Sequence, residues 1–167
     1  AIQSWGAGTI VGTTSFGKGT VQETWDLTNG GSVKLSTSKW LTPKETWIHE
    51  KGVQPDVEAD QHPLYTIEFV PIRGSFEAGD FSEEIAYAQK VLHGFGFPIV
   101  RQDGYFDEAT KKAVIAFREK YDIHEGEVLD ELFFEKMQEQ VVLYKDKEEN
   151  DLQLQMGVSY IMHKLGH

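Results

Sequence analysis

The stretch that decides the fold runs from Thr9 to Trp25 and reads TIVGTTSFGKGTVQETW. A short β-branched apolar run, Thr9–Val11, enters a loop in which Lys18 stands between Gly17 and Gly19, with Gln22 four residues on. Beyond the lysine the pattern alternates. TVQETWDL passes through TNGG into SVKLSTSKWLT, and Asn29-Gly30-Gly31 between alternating runs predicts a β-hairpin. In its second strand Val33, Leu35 and Thr37 should face one way, and Lys34, Ser36 and Ser38 the other. Pro43 ends that strand. Residues 46–49, TWIH, are expected to form a further short strand, and Pro55 keeps Gln54 extended or turning. Trp25, Trp40 and Trp47 lie in this β region, where aromatics commonly fill a sheet core; one could instead line a substrate groove.

What could a lysine between glycines do? An ordinary lysine amine, with a pKa near ~10.4, is a poor base at neutral pH. Burial favours its neutral form, which can take a proton from a serine hydroxyl, and Ser–Lys pairs are a known variant of nucleophilic catalysis. Gly17 and Gly19 would let backbone pass close by, and the Gln22 carbonyl could accept a hydrogen bond from the amine. The same residues equally describe a turn with an incidental exposed lysine. The glycine spacing of a nucleotide-binding loop is absent.

Residues 61–79 carry Pro63, Pro71, Gly74 and Gly79 and read as a connector with a strand-like middle. From Asp80 the period becomes helical. Ile85, Ala88, Gln89, Leu92 and Phe95 share one face of a first helix, which Gly94 and Gly96 stop. Ala113, Val114 and Phe117 point inward from a second. Leu129, Leu132, Phe133, Met137 and Val141 have helical spacing in a third. Asp103-Gly104-Tyr105-Phe106 ahead of one helix is echoed by Glu125-Gly126-Glu127-Val128 ahead of the next. A last helix, capped by Asp151 or Asn150, carries the stripe Leu154, Val158, Ile161 and Leu165, which the small bundle does not need. The pattern predicts an α+β chain, β-rich first and helical after.

Composition narrows the partners. The 167 residues hold 40% hydrophobic residues and a net charge of −11, a foldable but acidic mix. Residues 1–75 contain 8 acidic and 6 basic residues, whereas residues 76–151 contain 19 and 9, so the acidity sits in the helical part. That charge argues against nucleic acid, whose phosphates require Lys/Arg clusters, and against adhesion to anionic lipid or wall polymers by charge alone. With no cysteine there is no disulfide, thiol nucleophile or thiolate metal site. The histidines, His49, His62, His93, His124, His163 and His167, lack zinc-ligand spacing. Asp103, Asp107 and Glu108 fit helix capping better than a calcium loop. Neither a metal nor a cofactor is expected. No signal peptide opens the chain, so any targeting segment is expected upstream.

The ordered run Thr9, Val11, Gly12, Ser15, Phe16, Gly17, Lys18, Gly19, Val21 and Gln22 is followed by Thr42-Pro43 and by Gly52-Val53-Gln54-Pro55-Asp56. Over about 50 residues it resembles the carboxy-terminal processing peptidases, or tail-specific proteases. The resemblance implies that Lys18 is the general base and Gln22 orients it. It places the nucleophilic serine, the oxyanion hole and a PDZ module upstream of this chain; Ser4 and Ser15 do not stand at the nucleophile's place. The 167 residues alone are therefore expected not to hydrolyse peptides. Substrates would be protein C-terminal tails, and the other partner would be the N-terminal part of the parent protease. A homo-oligomer is a further candidate assembly. The location would be extracytoplasmic in a bacterium, anchored to the membrane or secreted.

Residues about 76–141 resemble the peptidoglycan-binding domains attached to wall hydrolases. The match runs through Gln89, Leu92, Gly96-Phe97, Asp103-Gly104-Tyr105-Phe106, Thr110, Ala113-Val114, Phe117 and Glu125-Gly126. That family usually has glycine where Asp107 stands and glutamine where Arg118 stands. Wall attachment, a spacer or protein-interaction role, and a structural cap are the three readings of this module. DLQLQMGVSYIMHKL resembles the protease family's final helix, although Met156 and Gly157 replace its usual alanine region. The implied organisation is a β-rich C-terminal part of a Ser–Lys protease core with an inserted small three-helix bundle. Residues 1–62 would be protease core, 63–79 connector, 80–143 the peptidoglycan-binding-like domain, and 150–167 a helix packing back on the protease part. The alternative is a non-catalytic peptidoglycan-binding or protein-interaction module.

Overall fold

A computed structural model describes residues 1–166, so His167, the last residue of the expected final helix segment, lies outside the described residues. The chain forms two compact units. One comprises Ala1–Asp60 together with the segment from Met156 onward; the other is Gln61–Gln155.

In the first unit, β1 (Val11–Gly12) is paired in parallel with β4 (Val57–Glu58), while β2 (Thr20–Asp26) and β3 (Ser32–Lys39) form an antiparallel hairpin. The hairpin turns at Asn29-Gly30-Gly31. Gly30 has φ +81°, and the Asn29 side chain accepts from Gly31 N at 3.0 Å, the local bond that makes asparagine a turn former. The register slips once: Val21 faces Ser38 but Gln22 faces Ser36. Thr37 is thus an extra residue, a β-bulge, and the simple alternation expected along β3 breaks there. The expected strand over 46–49 is instead an isolated bridge, Leu41 to Trp47, followed by a turn. Its backbone bonds close local turns, Thr46 with Thr42 and Ile48 O with Lys51 N and Gly52 N, while the Trp47 and His49 side chains reach Gly19 in the loop before β2. The tryptophans are not a sheet core either. Trp25 and Trp40 are more than half exposed and Trp47 is partly so, in keeping with a sheet of only two strands.

The second unit has the larger core. The segment expected to have a strand-like middle holds no strand but a single helical turn, α1 (Pro63–Thr66). Leu64 is fully buried, and Ile67, Val70, Ile72 and Phe76 pack against the same core. Around it lie α2 (Glu83–Gly94), α3 (Glu108–Lys120) and α4 (Glu131–Lys145). Ile85, Ala88, Leu92, Ala113, Val114, Phe117, Leu129, Phe133 and Met137 are buried as their spacing predicts. Leu132 is not; Phe134 takes its place, since α4 turns the Phe133–Phe134–Met137 face inward.

The helices α2, α3 and α4 start in the same way. Phe81 bridges Tyr105, and Phe76 bridges Leu129. Ser82, Asp107 and Asp130 then cap α2, α3 and α4, their side chains accepting from Ile85, Thr110 and Phe133 N respectively. The internal echo is real, but its second copy is centred on Leu129-Asp130 rather than on Glu125–Val128. Asp107 is a cap, as expected. Buried Gln89 joins these entries: it donates to Tyr105 O and Thr110 Oγ1 and accepts from Gly104 N, at 2.8–3.0 Å.

Arg118 is 2% exposed, pairs with Asp130 at 2.7 Å, and donates to His124 O and Val128 O. Burial pushes the Asp130 carboxyl up, but the bonds from Arg118 and Phe133 N outweigh it and hold the carboxyl below its usual range. Both departures noted in the sequence are thus structural residues, one a cap and the other a tie across the α3–α4 loop.

After a 3-10 turn at Glu148–Asn150 comes α5 (Leu152–Leu165). Asp151 caps it by accepting from Leu154 N at 2.9 Å, while Asn150 donates to Tyr144 O instead. The stripe Leu154, Val158, Ile161 and Leu165 is 43–67% exposed. From Met156 onward the helix belongs with Ala1–Asp60; there the side chains of Lys164 and Thr9 donate to the Tyr160 oxygen, which lowers its proton affinity. No helix of the described residues is long and apolar enough to cross a membrane.

Candidate functional site

The loop between β1 and β2 carries Lys18, and the segment Trp47–Asp56 cradles it. The backbone of residues 10–19 is fastened at nearly every step. Asp56 N and Val57 N donate to Ile10 O at 2.8 and 3.0 Å, and Ala59 N to Gly12 O at 2.8 Å. Thr14 Oγ1 donates to Gln54 Oε1 at 2.9 Å. Ser15 and Val53 exchange two bonds: Ser15 N donates to Val53 O, and Val53 N to Ser15 Oγ, at 3.1 and 2.8 Å. Glu50 N donates to Gly17 O at 3.0 Å. Gly19 O accepts from Trp40 N and from Trp47 Nε1, at 2.9 and 2.8 Å. The neighbouring Gly19 N points to His49 Nδ1 at 3.4 Å.

The glycines make this approach possible. Gly17 has φ +76°, and a Cβ there would lie 2.5 Å from Gly52 N and 2.7 Å from Ile48 O. A Cβ on Gly19 would lie 2.6 Å from His49 N. Gly52, at φ +69°, is pressed in turn against Ser15 O. Two backbone segments, 15–19 and 48–52, meet where no side chain fits, so the clasp is a packing device. It buries Gly17 and Gly19 and leaves Lys18 between them exposed. Gln22, third residue of β2 and the first after the register slip, is exposed as well. Among the described residues neither side chain is hydrogen-bonded to the other.

The Ser15 hydroxyl oxygen accepts from Val53 N and so takes part in fastening the loop. Asp56 accepts from Ile10 N at 2.8 Å and from Gln3 Nε2 at 2.9 Å, and these bonds hold its carboxyl below the usual carboxylate range. Lys39 stands 4.3 Å above the Trp47 ring, and the Trp47 and His49 rings are 5.1 Å apart. Sequence reasoning did not foresee that Gln3, Trp47, His49, Gln54 and Asp56 serve the lysine loop. Those contacts span 28 to 53 residues of chain, beyond the reach of any local pattern. No group of three His, Asp or Glu among the described residues could hold a metal ion.

The helical unit offers a separate concavity, a groove of about 800 Å³ lined by Ile115, Arg118, Glu119, Ile123, Glu125 and Gly126 among others. Its rim is acidic and its one guanidinium is already paired with Asp130.

Residues 1–59 match the profile of peptidase family S41, and residues 81–137 match that of a putative peptidoglycan binding domain. Over 158 residues the chain is 37% identical to the carboxy-terminal processing protease CtpB of Bacillus subtilis strain 168, covering 95% of this chain and 33% of that protein. It is 29% identical over 156 residues to CtpA of the same organism, covering 93% and 33%. A probable CtpA-like serine protease of Staphylococcus aureus strain MRSA252 is 31% identical over 119 residues, covering 71% and 24%. The chain spans about a third of the length of the Bacillus relatives it matches.

Proposed function

We propose that this chain, a homologue of the carboxy-terminal processing proteases, carries the general-base half of a serine endopeptidase that processes the C-terminal tails of proteins. The observation that carries the reading is the clasp itself. Within residues that match a peptidase family, three close-packed glycines and a chain of hydrogen bonds hold one exposed lysine at the tip of an otherwise immobilised loop.

In the mechanism, a serine hydroxyl from the N-terminal part of the protease attacks the substrate carbonyl while the Lys18 amine takes its proton. The departing amine receives that proton, an acyl-enzyme remains, and water activated by the same amine hydrolyses it. Gln22 orients the amine through its carbonyl oxygen. A lysine works as a base only when neutral, and covering Lys18 with the serine-bearing part of the core supplies the desolvation that favours that form. The exposed Phe16, next but one to Lys18, and Trp40, bonded to Gly19 O, are apolar surface for the same covering layer. The 167 residues alone are therefore inactive.

The helical unit is proposed as an insertion, residues 80–143, with the final helix returning to the protease part; the grouping of Met156 onward with Ala1–Asp60 supports this. A wall-directed role for the insert and an extracytoplasmic site of action are proposed with it; the likeness to a putative peptidoglycan binding domain supports the first.

The test uses the complete gene product that carries these residues, assayed on a peptide with a fluorogenic C-terminal tail. Lys18→Ala should lower kcat by about 10²–10⁴-fold, with an intact fold by circular dichroism. Full turnover by Lys18→Ala sinks the proposal, as does turnover by the isolated 167 residues. The second reading, a wall-binding or interaction module without catalysis, rests on the match over 81–137. Co-sedimentation with purified cell wall, beside a charge-matched acidic protein, decides whether the insert binds wall.

A further inference from the structure

Gln54 and Asp56 touch no part of Lys18, yet their hydrogen bonds all reach the chain upstream of it. Asp56 accepts two donors at once, Ile10 N on one carboxylate oxygen and Gln3 Nε2 on the other. Its own N–H and that of Val57 both donate to Ile10 O. Ile10, the residue before β1, thus has both its N–H and its carbonyl bonded to Asp56 and Val57. Gln54 accepts from Gln3 Nε2 through its backbone oxygen and from Thr14 Oγ1 through its side chain. Pro55 between them has no N–H to offer, and the chain bends at Asp56 just before β4.

We infer that Asp56 and Gln54 are positioning residues for the proposed reaction: they fix the frame of residues 10–14 from which the Lys18 loop is hung. The inference rests on the reading of Lys18 as general base. The path is short. Asp56 sets Ile10, Gln54 sets Thr14, Val53 is bonded to Ser15, and Gly17 and Gly19 pack on Gly52 and His49. A proton passes from a hydroxyl to an amine only within hydrogen-bond reach, and a misplacement of about 1 Å can cost on the order of 100-fold in rate.

The chemistry of the two side chains matches this task. A carboxylate can bind an amide N–H and a side-chain N–H simultaneously through separate oxygens, and an amide carbonyl can hold a hydroxyl. Both residues are solvent-exposed and contribute nothing to the core, so removing them disturbs the frame without opening a cavity. An exposed residue that only decorated the surface would have no reason to gather bonds from positions 3, 10 and 14.

The experiment compares Asp56→Ala, Gln54→Ala, Asp56→Asn and Lys18→Ala in the complete gene product. Four quantities are read: kcat, KM, the rate of labelling by a fluorophosphonate, and the final extent of labelling. Asp56→Ala and Gln54→Ala should lower kcat and labelling rate by roughly 10- to 100-fold, with KM and final extent unchanged. Asp56→Asn, which keeps one carbonyl acceptor, should recover part of the loss. If the alanine variants react at the parent rate while Lys18→Ala is inactive, the positioning role is wrong and the base assignment stands. If the final extent falls while the rate per labelled site is unchanged, the two residues serve stability only, and the inference is again wrong. Turnover by Lys18→Ala removes the base assignment and this inference with it.

Discussion

Gly17→Ala is the substitution for which the structure gives the sharpest expectation. Two costs coincide at this position. At φ +76° an L-residue pays about 1–2 kcal/mol for the left-handed backbone. Its Cβ would also sit 2.5 Å from Gly52 N and 2.7 Å from Ile48 O, and both are backbone atoms of a turn that cannot swing aside as a side chain can. Relief requires the Ile48–Gly52 turn to retreat. That breaks the bond from Glu50 N to Gly17 O, worth about 1 kcal/mol, and strains the Ser15–Val53 pair. The local total is roughly 2–4 kcal/mol, so the clasp should open about 30-fold or more often. Amide hydrogen exchange by mass spectrometry is the assay. Peptides covering residues 10–19 and 47–56 should exchange faster, while peptides from α2, α3 and α4 should not change. Unaltered protection across 10–19 would refute the argument that backbone contact, rather than glycine flexibility, explains the clasp.

Three further outcomes follow from the helical unit. Asp130→Ala strands the buried Arg118 and removes the α4 cap; with Asp130 partly exposed, the loss should be about 2–4 kcal/mol, seen as a fall of roughly 10 °C or more in its thermal midpoint. Gln89→Leu leaves Gly104 N without its acceptor in the interior and should cost about 1–3 kcal/mol in urea unfolding followed at the helical unit, with hairpin amides unaffected. Acid should act through depressed carboxylates. The Arg101 guanidinium holds Asp103 down at about 2, so its contribution is complete above the ordinary aspartate value near ~3.9 and lost as pH falls through about 2. Asp130 is shifted in the same direction, so melting curves should decline below the ordinary carboxylate range, and Arg101→Ala should move the Asp103 titration up by NMR, short of the ordinary value because Tyr105 N still donates to it.

Much of the architecture can be read in the residues. Helical spacing put Ile85, Ala88, Leu92, Val114, Phe117 and Phe133 in one core, because the 3.6-residue period is a local property of a chain with one buried face. Asn29-Gly30-Gly31 marked the hairpin, since few residues accept its turn geometry. Leu132 was misplaced because a helix as apolar as α4 offers more than one inward face, and only its neighbours select Phe134. Residues 46–49 look like a strand for their β-branched and aromatic content, yet their backbone bonds close local turns and leave them a single bridge.

For the site the division is similar. The sequence by itself named the residues for which the chemistry is proposed, Lys18 and Gln22, and set a glycine on either side of the lysine. Residue type and spacing are written locally. Only the tertiary structure decided why those glycines are there. It set Gly52, His49 and Ile48 against Gly17 and Gly19, gave Ser15 to Val53, and gave Asp56 to Ile10 and Gln3. Close approach is a property of two distant segments at once, and no pattern within either one contains it.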